Sequence, residues 1–252
     1  MTEPRTDRFK SFDGQEIAFH RLGSGRPVVM LHGFLSNARQ NWFAPGHAAR
    51  LAQAGFEVIA ADLRGHGQSA APVDLSAWRP DTLAFDQRAL IDHLGLTDFD
   101  LVGYSLGART AVRAVVGGLA PRRMALGGMG DTGVMEAGAR AAMFEDSIRN
   151  GEKAQNPRAG RYIHRTMADL GLDPEAMLGV LAAFKETTRA ELEAITTPTL
   201  VVCGADDRDN GSPDALAEIL PHGRLEIIPG DHIGAVAQAE LSEAIAAFLT
   251  AP

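Results

Sequence analysis

The chain has 252 residues and a formal net charge of −8, and 45% of its residues are hydrophobic against 22% charged. This is an ordinary globular composition, which excludes a disordered chain, and the single cysteine excludes a disulfide scaffold. The acidic balance argues against nucleic acid and anionic membranes as partners, because both are bound largely through lysine and arginine.

The length predicts one domain, or a smaller core that carries an insertion. No apolar run approaches the roughly 18 residues that a membrane helix needs. Residues 1–8 are polar and lack the apolar core of a secretory signal. We therefore expect a cytoplasmic protein without a membrane partner.

The first two predicted strands, residues 8–12 and 16–22, are joined by an Asp13-Gly14 turn signal. Six further strand-like runs follow along the chain. Several of them are almost continuously apolar, which is typical of parallel strands covered on both faces. The six runs are residues 27–31, 56–61, 98–102, 123–126, 199–203 and 225–228.

Helical patterns separate or follow these runs at residues 81–94, 105–116 and 240–249. This alternation predicts a mostly parallel sheet flanked by helices. Residues 133–195 break the rhythm, because they contain no strand pattern and predict three or four helices.

We expect the breaks between these helices near Gly151, Gly160 and Asp173. The sequence therefore predicts an α/β core from residues 1–132 and 196–252. A small helical cap, residues 133–195, is inserted late in the predicted sheet.

A serine stands at the apex of a predicted strand-to-helix turn, in Gly103-Tyr104-Ser105-Leu106-Gly107. Small residues two positions either side let the backbone segments approach, and the apex side chain then projects above the sheet edge. Unpaired N–H groups at the helix start favour developing negative charge there. A serine that only caps the helix N-terminus is an alternative interpretation of this motif, but its position between a strand and a helix favours a nucleophile.

A serine hydroxyl needs a base, and His232 is the best candidate. It follows the last predicted strand and so lies at the same sheet edge as Ser105 if the strands are parallel. The other seven histidines are less suitable. His32 and His66, for example, lie in glycine turns, where a histidine commonly organises the loop by hydrogen bonds.

The base in turn needs a carboxylate that fixes its tautomer. We favour Asp207, which follows the predicted strand at residues 199–203. The competing residues are Asp206, Asp209 and the more remote Asp131. The alternative without a catalytic role is that these aspartates form an acidic loop exposed to solvent. A calcium loop fails on register, because Arg208 would occupy a ligand position, so no metal is predicted.

The chain order Ser105, Asp207, His232 is that of the α/β-hydrolase architecture. The sequence resembles the α/β-hydrolase superfamily, in its serine esterase and lactonase-like branch, over nearly its whole length. Five motifs carry the resemblance: His32-Gly33-Phe34, the segment 62–69, the turn 103–107, Gly204-x-x-Asp207 and Gly230-Asp231-His232. The residue before the family's catalytic histidine is often glycine, and we assign no role to Asp231 here.

The resemblance implies an oxyanion hole made by the backbone N–H groups of Phe34 and Leu106. Such preorganised donors stabilise the charge of a tetrahedral intermediate. The resemblance also implies that the segment 62–69 is a structural loop in which Arg64 and His66 are scaffold residues.

The substrate pocket is predicted from apolar residues of the cap and of the core. Most apolar cap residues are expected to pack against one another and against the core, and some to line an acyl pocket. The residues proposed for the pocket are Trp42, Phe43, Met129, Met135 and Met143. The short cap favours a small or medium substrate.

Two functions from other classes compete with catalysis. Gly128-Met-Gly130-Asp-Thr-Gly133 matches a dinucleotide-binding fingerprint, but the residues around Glu152, where its acidic position would fall, are not strand-like. A non-catalytic ligand receptor is disfavoured because every catalytic position is filled. Among hydrolases, Ser105 disfavours the dehalogenase and epoxide-hydrolase branches, which use aspartate as the nucleophile.

The sequence thus predicts a carboxylesterase-like serine hydrolase that acts on small to medium esters through an acyl-enzyme and needs no cofactor. Its partner is a small-molecule ester or lactone. Enol-lactone opening, carbon–carbon bond hydrolysis and perhydrolysis use the same residues and stay open, as does a homodimer.

Overall fold

A computed structural model describes residues 3–136 and 138–251. Its centre is an eight-stranded sheet with the strand order β1-β2-β4-β3-β5-β6-β7-β8. The strands are β1 (Arg5–Lys10), β2 (Glu16–Gly23), β3 (Arg26–Leu31), β4 (Phe56–Ala61), β5 (Asp100–Tyr104), β6 (Met124–Gly127), β7 (Thr199–Gly204) and β8 (Gly223–Ile228). Strand β2 pairs antiparallel with β1 and β4, and all other pairs are parallel. The predicted α/β class is confirmed.

Helices cover both faces of this sheet. They are α1 (His47–Gln53), α2 (Thr82–Leu94), α3 (Leu106–Val116), α4 (Asp131–Met135), α5 (Gly138–Asn150), α6 (Pro157–Leu170), α7 (Pro174–Ala182), α8 (Arg189–Glu193), α9 (Pro213–Ile219), α10 (His232–Ala235) and α11 (Ala239–Thr250). A π-helical turn spans Arg39–Phe43, and 3₁₀ turns span Leu75–Ala77 and Gly151–Lys153. No helix within the described ranges is both long and apolar enough to cross a lipid bilayer.

The predicted strands are all present, and the largest error lies in the first hairpin. Strand β1 begins at Arg5, which pairs with Arg21 of β2. The two strands are joined by five residues, where the predicted bounds leave three, and only Gly14 among the five has a positive φ, of +85°. Phe12, expected in the strand, lies in this loop, where the guanidinium of Arg79 stacks 4.4 Å from its ring centroid.

Five helices, α4 to α8, lie between β6 and β7, and the described residues of this stretch contain no strand. The predicted breaks at Gly151 and Asp173 are present, since Asp173 caps α7 by accepting hydrogen bonds from its first backbone N–H groups. The predicted break at Gly160 is wrong. Gly160 lies inside α6, where a Cβ atom would stand 1.8 Å from the carbonyl oxygen of Gly151. This glycine therefore serves close packing and not chain reversal.

The core consists of two apolar clusters on opposite faces of the sheet. In β3, Val29 and Leu31 belong to the first cluster, and Val28 and Met30 belong to the second. All four side chains are completely buried. Each contributes about 1.5–3 kcal/mol relative to an exposed position. The nearly continuous apolar sequence of this strand follows from its two covered faces.

Candidate active site

The backbone turns sharply at Ser105, between β5 and α3. Ser105 has a φ of +52° and a ψ of −113°, a conformation that costs a residue with a side chain about 1–3 kcal/mol. A Cβ atom on Gly103 would lie 2.2 Å from the carbonyl oxygen of Gly107, and one on Gly107 would lie 2.1 Å from that of Leu31. Both glycines are therefore required by backbone contacts. The turn leaves the Ser105 side chain half-buried at the start of α3.

Three side chains form a continuous series of hydrogen bonds at the carboxyl edge of the sheet. Ser105 Oγ lies 3.0 Å from His232 Nε2, and His232 Nδ1 lies 2.8 Å from Asp207 Oδ2. The residues follow β5, β8 and β7, which are parallel and therefore end at one edge. With its proton on Nδ1, the imidazole donates to the carboxylate and accepts from the serine hydroxyl.

Asp207 is buried, yet it is held in its ionised form. Burial is the largest influence and disfavours the charge, but the hydrogen bond and charge of His232, the backbone N–H of Asp209 and the Cys203 thiol outweigh it. The pKa of Asp207 therefore lies below its usual value. The Asp209 N–H donates to Oδ1 at 3.0 Å, and Cys203 Sγ lies 3.5 Å from Oδ2.

The competing aspartates lie elsewhere. The side chain of Asp206 is exposed to solvent, that of Asp209 pairs with Arg140, and that of Asp131 accepts the backbone N–H groups of Thr132 and Ser212. Among the aspartates of the described chain, only Asp207 bonds to the ring of His232.

A metal ion is a poor fit for this cluster. Asp207, Asp209 and His232 present ligand atoms within 4.8 Å of one another. However, both ring nitrogens of His232 already have partners, Ser105 and Asp207. A metal ligand needs a free nitrogen lone pair, and the observed pairing supplies none.

Two residues that the sequence analysis left without a role hold His232 in place. The Tyr104 hydroxyl donates to the backbone carbonyl of His232 at 2.6 Å, and their rings lie 5.5 Å apart. Burial raises the pKa of Tyr104, so it remains a donor. Asp231 caps α10, because its Oδ1 accepts the Gly234 N–H at 2.7 Å. An aspartate directly before a helix is a common N-cap, so this role of Asp231 was predictable from the sequence. No sequence pattern indicated the contact of Tyr104 with His232.

The loop after β3 stands beside Ser105. A Cβ atom on Gly33 would lie 3.6 Å from the Ser105 Cβ, and the Gly33 N–H donates to Asn41 Oδ1 at 3.0 Å. Throughout the residues described, the N–H groups of Phe34 and Leu106 meet no protein acceptor. Both donors are therefore free to bind an oxygen that gains negative charge. Asn41 was not predicted to position this loop.

The segment 62–69 is tied into the scaffold by buried polar contacts. Asp62 accepts the backbone N–H groups of Ala38 and Gln68, at 2.9 and 2.8 Å. Arg64 has no exposed surface and makes ion pairs with Asp13 and Asp86. These contacts agree with a structural role for Arg64 and not with contact to a substrate.

His66 is a buried neutral base beneath this site. Its ring lies 5.0 Å from the ring of His32 and 5.8 Å from that of Phe34. Its Nδ1 donates to the carbonyl of Arg64 at 3.1 Å, whereas its Nε2 has no partner among the residues described. Burial, followed by the neighbouring His32, lowers the pKa of His66 to about 3.

We expect His66 to make the protein sensitive to mild acid. The unfolded chain takes up a proton near pH 6.5, whereas folded His66 resists it until about pH 3. The stabilisation that neutral His66 contributes is therefore fully present above pH 6.5, and it is lost as the pH falls from 6.5 toward about 3. Between pH 7 and pH 5 the loss amounts to about 2 kcal/mol.

Urea unfolding at pH 7 and pH 5 measures this loss. The variant His66→Asn should lose markedly less stability over this interval than the wild type. The exposed His222 is the matched control, and His222→Asn should keep the wild-type dependence. Equal pH dependence in all three proteins would contradict the assignment.

Helix α5 touches both loops of the site. The Phe144 ring packs edge-on against the Phe34 ring at 5.0 Å. One turn earlier, Arg140 donates to the carbonyl oxygen of Asp209 at 2.8 Å and to its carboxylate at 3.1 Å. Asp209 in turn donates its N–H to Asp207. The helix therefore contacts the loop of Phe34 and the loop of Asp207 together.

The residues proposed for a substrate pocket are not gathered in one place. Trp42 has no exposed surface and belongs to the second core cluster, while Met129 belongs to the first. Trp42 is therefore corrected to a core residue, since it lies on a π-helical turn that packs against the sheet. Phe43 packs edge-on against His20, Met135 is half-buried against the first cluster, and Met143 is partly exposed on α5.

The glycine motif at residues 128–133 serves packing. Cβ atoms on Gly130 and Gly133 would lie 2.5 Å from the carbonyl carbon of Gly211 and 2.7 Å from the Asn210 Cβ. Helix α4, which begins inside the motif at Asp131, has only five residues. In the described chain no strand follows it before β7, so the context of a dinucleotide site is missing.

Comparison with known proteins identifies the fold. Residues 26–116 match the family described as alpha/beta hydrolase fold. A non-heme haloperoxidase of Rhodococcus erythropolis is 29% identical over 251 residues, which cover 86% of this chain and 89% of that protein. An esterase of Exiguobacterium antarcticum has a similar structure, with a TM-score of 0.76, 24% identity, and coverage of 97% of this chain and 99% of that one. The enol-lactonase of Burkholderia xenovorans LB400 also has a similar structure, with a TM-score of 0.75 and 22% identity. The match covers 97% of this chain and 100% of that one.

Proposed function

We propose that the chain is a serine hydrolase of the α/β-hydrolase superfamily that cleaves carboxylic esters of small to medium size. The observation that supports this proposal is the hydrogen-bond series of Ser105, His232 and Asp207. The unpaired backbone N–H of Leu106 directly follows this serine in the chain, and that of Phe34 belongs to the loop whose Gly33 lies beside it. Such a set matches the needs of acyl transfer: a nucleophile, a base, a group that orients the base, and donors for an oxyanion.

In the proposed mechanism, Ser105 Oγ attacks the ester carbonyl while His232 Nε2 takes its proton. The carbonyl oxygen becomes an oxyanion and accepts hydrogen bonds from the N–H groups of Phe34 and Leu106. Loss of one such donor typically raises the barrier by about 3–4 kcal/mol. Asp207 orients His232 and stabilises its charged form.

The tetrahedral intermediate then collapses to an acyl-enzyme. His232 gives its proton to the departing alkoxide, and the alcohol leaves. Water attacks the acyl carbon, again with His232 as the base, and the carboxylic acid is released as Ser105 regains its proton. Bond making and proton transfer balance without a metal or an organic cofactor.

We propose further that residues 133–195 form a cap above this site. The contact of Phe144 with Phe34 and that of Arg140 with Asp209 support a cap that rests on both catalytic loops. The acyl group would then bind between this cap and the edge of the sheet.

Perhydrolysis is the second candidate, because the haloperoxidase relative aligns over most of both chains. In that reaction hydrogen peroxide replaces water as the acceptor of the acyl group, and the product is a peracid. The same three side chains and the same oxyanion donors serve it. The two reactions differ only in the nucleophile that reaches the acyl carbon.

The decisive experiment is a panel of p-nitrophenyl esters of increasing acyl length, with lactones alongside and with hydrogen peroxide as a competing acceptor. We expect turnover of short and medium esters, and covalent labelling by a fluorophosphonate probe. An intact, folded protein that neither turns over any ester nor reacts with the probe would contradict the proposal.

Arg140 provides a test of the contact between cap and acid loop. We expect Arg140→Ala to lower kcat for ester hydrolysis about tenfold, because a hydrogen bond to a charged group is lost on the segment that holds Asp207. KM should change much less, and Arg140→Lys should recover part of kcat.

Arg149 is the matched control for this variant. It lies on the same helix and pairs with Glu145 on the exposed face, away from the loop of Asp207. Arg149→Ala should keep the wild-type kcat. Equal losses in both alanine variants would show that α5 is merely destabilised and would count against the positioning role.

A further inference from the structure

Strand β8 is an open edge of the sheet. No strand among the described residues pairs with its outer side. Thr199 N–H donates to the carbonyl of His222, and Ala205 N–H donates to that of Ile228. The backbone groups of even-numbered residues in β8 therefore face β7. Those of Leu225 and Ile227 point outward, without a partner in the sheet.

The opposite edge of the sheet is protected, and this one is not. Strand β1 has four charged residues among six, namely Arg5, Asp7, Arg8 and Lys10. Charged residues on an edge strand are the common means of preventing edge-to-edge pairing. Strand β8 has only two charged residues among six, Arg224 and Glu226, and its apolar Ile227 is 48% exposed.

Two charged side chains on β8 lack partners within the chain. Arg224 and Glu226 are exposed, and neither forms an ion pair in the part of the chain that the structure describes. They lie two positions apart and so share one face of the strand. Both side chains also line a groove of about 550 Å³ that runs along β8 beside α11, where Glu240 and Glu243 contribute to the wall.

In one register of antiparallel pairing, the charges of β8 are complementary to those of β8 in a second copy of the chain. If two copies of β8 pair antiparallel about a twofold axis at Leu225, Arg224 lies opposite Glu226 of the partner subunit. The reciprocal pair forms as well. Shifting the register by two residues in either direction places Glu226 opposite the partner's Glu226, or Arg224 opposite the partner's Arg224. Directly opposed like charges are destabilising.

The other face of the strand fits the same register. The outward backbone groups of Leu225 meet those of the partner's Leu225, which completes two hydrogen bonds. Ile227 lies opposite the partner's Gly223, whose missing side chain leaves room for the exposed isoleucine. The register thus satisfies the free backbone groups, the unpaired charges and the exposed apolar side chain together.

We propose that the protein forms a twofold dimer through antiparallel pairing of its β8 strands, so that one sheet continues through both subunits. Arg224 and Glu226 select this register and this partner, a second copy of the chain. The proposal is independent of the catalytic function.

Charge reversal tests the dimer. Light scattering across roughly 1–100 µM protein should give the mass of two chains for the wild type. Arg224→Glu or Glu226→Arg places like charges opposite each other twice, and each should weaken the dimer about tenfold or more. The double variant Arg224→Glu/Glu226→Arg restores opposite charges and should restore the dimer. High salt should weaken the wild-type dimer.

Arg165 and Asp169 are the matched control pair, because both are highly exposed and pair with each other on α6. Arg165→Glu and Asp169→Arg should leave the dimer unchanged. Circular dichroism confirms that every variant is folded, whatever its enzymatic activity. A wild-type monomer at all concentrations, or single variants as dimeric as the wild type, would overturn the proposal.

Discussion

Replacement of Ser105 by alanine is expected to reduce ester hydrolysis by about 10⁵–10⁶-fold. The substitution removes the oxygen atom that lies 3.0 Å from His232 Nε2. The backbone N–H groups of Phe34 and Leu106 remain, so a small rate above the uncatalysed reaction should persist. The measurement is kcat/KM on the best p-nitrophenyl ester of the panel.

The fold should survive this change. Alanine and serine meet the same steric penalty at the positive φ of residue 105, and the removed hydroxyl is half-buried. The melting temperature should therefore stay close to that of the wild type. The fluorophosphonate probe should label the wild type and fail to label Ser105→Ala.

Ser76 is a suitable control, because it is an exposed serine on a surface turn. Ser76→Ala should keep full activity and full labelling. If Ser105→Ala retained most of its activity or still reacted with the probe, another residue would be the nucleophile. The proposed mechanism would then fail at its first step.

The sequence was informative where a local constraint dictates the backbone. The turn at Ser105 was predictable because Gly103 and Gly107 are forced by contacts within a few residues and with the adjacent strand. The strands were predictable because residues covered on both faces must be apolar. Strand ends were less well predicted, since pairing partners and not composition decide where a strand stops.

The site residues that could not be predicted depend on contacts between segments that are distant in the chain. Tyr104 reaches the carbonyl of His232, 128 positions away, and no local pattern encodes that distance. Asn41 supports Gly33 from a turn whose geometry only the folded chain defines. Gly160 and Trp42 were misassigned for the same reason, because a packing glycine resembles a break and a core tryptophan resembles a pocket residue.

Among the acidic residues, Asp207→Asn is expected to lower kcat by about three to four orders of magnitude. The amide can donate to His232 Nδ1, which favours the tautomer that carries its proton on Nε2. That nitrogen then cannot accept the proton of Ser105. The substitution also removes the negative charge that stabilises the imidazolium during each proton transfer.

Asp206 is the matched control, since it is the adjacent residue and has the same chemistry but an exposed side chain. Asp206→Asn should change kcat less than about twofold, as is usual for an exposed side chain without a hydrogen bond to His232. Because the pKa of Asp207 lies below its usual value, its carboxylate is ionised throughout the neutral range, and the contrast between the variants should persist from pH 6 to pH 8. The opposite order of effects would assign the orienting carboxylate to Asp206, and the loop after β7 would then have to rearrange before His232 could act as a base.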